Sequence, residues 1–268
     1  MIEAYATLLA SEPELFDYLG QLDIAALPSR TLLMKALVLI GAATNDQKLQ
    51  ESMSAREDSA TLYRTIVMIV DVYRSEQASR FVGMTENDED KGSDLVLFLD
   101  ILSNVLSKDI LEGGEDNVAT GAQVALASLE MLLSVMNESV LKLPDLAMKF
   151  FRLVLYLVEF SREALAVMSV PLLVALCQCL REGMTSQYGS EIACTSMEAL
   201  TEIVSYFILM NRPVLPELAQ QFTETLPLAF EACLENSCEN TIFNEATSCL
   251  YSLICFDKAI LRRQQADL

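Results

Sequence analysis

Glu198 and Glu202 stand one helical turn apart in MEALTE, so on a helix their carboxylates share a face. Two such groups are the raw material of acid–base catalysis, one held protonated and the other ionised. That chemistry needs a cleft, and the flanking residues suggest none, so the pair reads as surface charge. The chain contains no histidine, which removes the commonest general base and the Ser–His and Cys–His nucleophile pairs. Gly113–Gly114 stands alone, with no phosphate-cradling glycine motif around it. The seven cysteines, Cys177, Cys179, Cys194, Cys233, Cys238, Cys249 and Cys255, all lie in the second half. Zinc sites use closely spaced ligand pairs, usually with histidine, whereas Cys177 and Cys179 would point in different directions on a helix. Buried, reduced thiols of a cytosolic or nuclear protein are the expectation. No catalytic residue, metal or cofactor is expected, and the chain does not read as an enzyme.

The ordered polar feature is a set of stripes. Asp145, Lys149, Arg152, Tyr156, Glu159 and Glu163 recur at alternating steps of four and three, which keeps them on one side of a helix. Glu191, Thr195, Glu198, Glu202 and Ser205 do the same, and Thr241, Glu245, Ser248 and Ser252 form a weaker version. Any half-exposed helix has a polar face, so a single stripe carries little information. Side by side in an array, the three would form an acidic ribbon. Tyr156, amid charges, would be a contact anchor, as aromatics often are.

Apolar periodicity predicts about ten helices in five consecutive pairs. The pairs are roughly 3–20 with 29–45, 59–79 with 93–107, 118–140 with 144–167, the hairpin 171–211 with its second helix starting near 190, and 213–236 with 240–263. The corresponding repeats are 1–48, 56–110, 117–168, 170–211 and 213–265, forming a single segment. Pro144 belongs just inside a helix start, and GMTSQYGS makes the turn between Leu180 and Ile192. Second helices beginning near 144, 190 and 240 give a period of about 45–50 residues, as in HEAT or armadillo arrays. The fold class is therefore all-α, an α-solenoid, with an ordinary helical bundle as the alternative. MTENDEDKGSD (84–94) and EGGEDN (112–117) read as solvated acidic loops.

Composition agrees with a helical protein: 52% hydrophobic residues with only 9 Gly and 7 Pro. A formal charge of −20 argues against nucleic acid and anionic membranes, which need clustered Lys and Arg. It suits a basic protein partner, and it also suits simple solubility for so apolar a chain. MIEAYATLLASEPEL lacks the basic start of a secretory signal. The uncharged run Ala164–Leu180 contains Pro171 and reads as a helix end, a turn and a new helix rather than a membrane span.

Four segments, in collinear order, resemble the exportins of the importin-β (karyopherin-β) superfamily. They are DLVLFLDILSNVLSKDI (94–110), LPDLAMKFFRLVLYLVEF (143–160), LREGMTSQYGSEIACTSMEALTEI (180–203) and YSLICF (251–256). The third is the nearest, with Cys194, Glu198, Ala199 and Leu200 in a CxxxxEAL core. The resemblance implies a HEAT superhelix that carries protein cargo between nucleus and cytoplasm under control of Ran-GTP. It also implies apolar slots for the phenylalanine-glycine repeats of nuclear pore proteins, and that the chain corresponds to a C-terminal portion of a longer receptor. On that reading Glu159, Glu163, Glu191, Glu198, Glu202 and Glu245 would steer basic cargo to the concave face. Lys149, Arg152 and Tyr156 would complete the surface. A HEAT or armadillo scaffold without a transport role is the competing expectation.

Overall fold

The computed structural model describes residues 37–38, 40–41, 65–72, 93–107, 121–136, 138–162, 164–185, 189–210, 215–235 and 240–266. Among them every regular element is an α-helix and none is a strand. The expected helices at 3–20 and the acidic segment 112–117 lie outside the described residues. So do most of 29–45, 59–79 and the 84–94 loop. The chain divides into two compact units, Met1–Lys149 and Phe150–Leu268, and the division falls inside a helix.

In the first unit, helical residues 65–72 bury Ile66, Ile69 and Val70. Helix α1, Ser93–Ser107, packs on α2, Gly121–Val135. Leu95, Phe98, Leu99, Ile101, Leu102 and Val105 of α1 are all buried. The apolar positions spread over more than one side of the cylinder, which suits a helix covered by several neighbours. Asp94, expected in a solvated loop, is instead buried in the first turn of α1.

The helix expected over 118–140 ends at Val135, and a short turn, α3 at Glu138–Leu141, precedes α4 at Pro144–Phe160. Pro144 accounts for the second of these breaks, between α3 and α4. It has no N–H to donate, and its ring disfavours helical geometry at the residue before it. The chain must therefore turn, and Leu143 N–H donates to Val140 O at 3.0 Å.

The second unit holds the remainder of α4, then α5 (Ala164–Val167), α6 (Val170–Gly183), α7 (Ser190–Leu209), α8 (Pro216–Glu235) and α9 (Asn240–Ala266). The expected 144–167 helix is interrupted after Phe160. Ala164 N–H donates to Ser161 O at 2.9 Å, a tighter turn that leaves the α-helical ladder. Helix α6 packs on α7 and α8, while α9 packs on α7 and α8. Phe207, Phe222 and Phe256 join α7, α8 and α9: Phe207 and Phe222 are 6.3 Å apart, and Phe222 and Phe256 meet edge-on at 4.9 Å. Burying each phenylalanine contributes about 1.5–3 kcal/mol. Phe222 lies early in α8 and Phe256 late in α9, whereas Cys233 and Thr247 meet at the other end, 3.9 Å apart. The two helices are therefore antiparallel.

Candidate protein interface

The outward residues of α7 are set by what the helix must bury. Ile192, Met197, Leu200, Ile203, Val204 and Phe207 go into the core, so Glu191, Glu198 and Glu202 are turned to the other side. The helix starts after Gly189, whose φ of 100° lies in the region that suits glycine. Helix α7 is long and apolar enough to cross a membrane, with mean hydropathy 1.4, but 56% of that stretch is buried among the other helices.

Two ion pairs fix α7 beside α4 and the turn that follows it. Arg152 Nη2 lies 3.2 Å from Glu191 Oε1, and Arg162 Nη2 lies 2.6 Å from Glu202 Oε2. The sequence separations, 39 and 40 residues, are nearly equal, so the two elements run parallel. Helix α9 lies along α7 in the same sense: Glu198 feels Glu245, and one turn further on the Thr201 hydroxyl is within hydrogen-bonding reach of Cys249 Sγ. The three striped helices are thus neighbours.

They bring Glu159, Glu198, Glu202 and Glu245 together. Partial burial raises the Glu198 pKa above the usual carboxylate value, and the negative charges of Glu245, Glu159 and Glu202 raise it further. Like charges that cannot separate favour the protonated form. Among the described residues Glu202 is paired with Arg162, while no cation is paired with Glu159, Glu198 or Glu245. The acidic surface is therefore centred on these three.

Other candidates fall elsewhere. Glu191 is neutralised by Arg152, and Lys149 pairs with Asp100 within the first unit. Tyr156 is half-buried, with its ring centroid 5.7 Å from that of Phe160. It is Phe160 that is exposed, at 58%, with Tyr156 beside it. Ser252, assigned to the polar stripe of α9, is buried. Glu163 lies outside the described residues.

The sequence reading missed Arg162 and Arg181. Arg181 Nη1 meets Glu224 Oε2 at 2.6 Å, joining α6 to α8, and its hydrogen bond with that of Gln220 holds Glu224 below the usual range. The signal was present: a cation followed by an acid at separations of 39, 40 and 43 residues.

All six described cysteines are free thiols. Cys177, Cys179 and Cys249 are buried, and burial pushes each pKa up to about 12; Cys194, Cys233 and Cys255 are only half-buried. Cys238 lies outside the described residues. Among the described residues no group of His, Cys, Asp and Glu is placed to hold a metal ion. No protein-family model matches the chain, and no solved structure matches it.

Proposed function

We propose that the chain is a protein-binding segment of a HEAT-type α-solenoid in a nuclear transport receptor resembling exportin-4. In this reading the acidic ribbon captures cargo with a basic surface, and Ran-GTP controls the fit. The carrying observation is the convergence of Glu159, Glu198 and Glu245 from three neighbouring helices without paired cations. A concentration of one charge sign mainly accelerates encounter with an oppositely charged partner. The collinear resemblance of four segments supplies the transport context, with shuttling between nucleus and cytoplasm and contact with nucleoporin repeats.

A HEAT or armadillo scaffold is the second reading, and the self-neutralised pairs Arg152–Glu191 and Arg162–Glu202 favour it. Charges spent on neighbouring helices are structural rather than receptive. Two measurements separate the readings. The intact protein is first challenged with immobilised Ran carrying GTP or GDP: a transport receptor distinguishes the nucleotides, and equal retention favours the scaffold. Association with a nona-arginine peptide is then followed by stopped flow. The Glu198→Lys/Glu245→Lys variant is expected to slow it about tenfold at low salt, and an unchanged rate refutes the ribbon.

A further inference from the structure

The last turn of α4 joins an aromatic surface to the acidic one. Leu157 and Val158 go into the core, so the next two residues, Glu159 and Phe160, are carried round to the outside. Tyr156 stands one helical turn before both of them, which makes the three side chains neighbours on the helix surface. The Tyr156 and Phe160 rings are in contact, their centroids 5.7 Å apart. Tyr156 is half-buried, whereas Phe160 and Glu159 are exposed. Glu159 is also the ribbon's member on α4, near enough to Glu198 to act on its ionisation. An open ring and a carboxylate of the ribbon therefore adjoin.

Three features of this corner favour a cation. The Glu159 carboxylate is one, and among the described residues no cation pairs with it. The ring is the second, because its face attracts positive charge. The third is the helix end: α4 finishes at Phe160 with no basic residue in its last turn, which leaves the negative end of its dipole without a cation of its own. The next cation along the chain, Arg162, is turned to Glu202 at 2.6 Å. A purely apolar occupant would cover Glu159 without pairing it, and desolvating an unpaired carboxylate is unfavourable.

We propose that Phe160 makes the acidic ribbon selective for arginine over lysine, by stacking on the guanidinium that pairs with Glu159. The proposal rests on the ribbon reading above and adds to it the kind of side chain recognised. A guanidinium is planar and weakly hydrated, so it can lie on the exposed ring while its edge donates N–H groups to the carboxylate. An ammonium is a compact, strongly hydrated point charge. It pairs with Glu159 but gains less from the ring. Tyr156 supports Phe160 from behind and is a positioning residue.

Equilibrium binding of nona-arginine and nona-lysine to the whole chain at low salt tests it, because the two peptides match in charge and length. Nona-arginine is expected to bind at least about threefold more tightly. Two-pronged pairing with carboxylates favours arginine without any ring, so the readout is the change in that preference on substitution. Phe160→Leu keeps an apolar side chain at an exposed position and removes only the ring, so its circular dichroism and melting curve should match the parent. It should lower the preference by about two- to fivefold, the size of an exposed cation–π contact, and Phe160→Tyr should retain it. Equal affinities in the parent, or a preference that Phe160→Leu leaves intact, would overturn the proposal and leave the ribbon standing. Binding of neither peptide, or binding that Glu198→Lys/Glu245→Lys does not weaken, would overturn the ribbon and the preference with it.

Discussion

Gly183 lies so close to the ring of Phe151 that a Cβ added to it would sit 2.5 Å from Cζ and 2.8 Å from Cε1, and it would also strike Ser196 Oγ. The last turn of α6 is thus pressed onto α4 and α7 at once. Alanine in a helix gains about 1 kcal/mol over glycine. Overpacking a filled core costs about 1–3 kcal/mol, and both Phe151 and Ser196 are fully buried, leaving little room for relaxation. Sterics should win. Gly183→Ala is expected to destabilise the protein by about 1–2 kcal/mol in urea unfolding; a stabilised variant would refute the packing argument.

Glu198 makes the stability of this region pH-dependent. Its folded pKa is raised, so between the unfolded and folded values the native state binds more proton than the unfolded chain. Stability contributed by this group therefore falls as pH rises through that window. Glu198→Gln removes the effect and is expected to stabilise the protein at pH 7 by at most about 1 kcal/mol, given its partial exposure. The advantage should vanish in acid, where both forms are neutral. Parallel denaturation curves at neutral and acid pH provide the check.

Removing Arg162 should separate stability from charge. The Arg162–Glu202 pair is partly exposed, and pairs of that kind contribute about 0.2–1 kcal/mol. Arg162→Ala should lower stability by no more than that. It also releases Glu202 into the acidic surface, so association with nona-arginine should quicken about two- to threefold at low salt. Equal rates in the two proteins would remove Glu202 from the ribbon.

Thiol reactivity should follow burial. Cys177, Cys179 and Cys249, with pKa values pushed up to about 12, hold almost no thiolate at pH 8 and are shielded as well. Alkylation mapped by mass spectrometry should mark Cys233 and Cys255, which are only half-buried, well before those three. Labelling of Cys249 at the rate of Cys255 would show that the α7–α9 contact opens.

Phe222 is the aromatic that holds the last hairpin to its neighbour, touching both Phe207 and Phe256. Truncation to alanine should cost about 3–5 kcal/mol, measurable as a lower urea midpoint. Leucine should recover part of the loss.

Much of the helical pattern was legible because each apolar stripe is local. The helix read at 93–107 is found at Ser93–Ser107, and the start at 190 is found at Ser190. Pro144 marks the start of α4, whereas the end of α2 at Val135 carries no proline or glycine signal in MLLSVMNES. The stripes identified Glu159, Glu198 and Glu245 as outward residues. What a stripe cannot reveal is which acids are already neutralised, because Arg152 and Arg162 lie 39 and 40 residues from their partners in the sequence. Ser252 shows the same limit: a small hydroxyl at a stripe position can point inward and be buried. Phe230 and Tyr251 are exposed, which periodicity cannot show because it treats every apolar position as core.

Three ion pairs among the described residues join helices of the second unit. Arg152–Glu191 and Arg162–Glu202 tie α4 and its following turn to α7, while Arg181–Glu224 ties α6 to α8. Phe207, Phe222 and Phe256 join α7, α8 and α9 by contacts that salt does not touch. Added electrolyte weakens the partly exposed ties and leaves the aromatic contacts in place. Salt should therefore loosen the surface ties of the second unit well before it reaches the aromatic contacts beneath them.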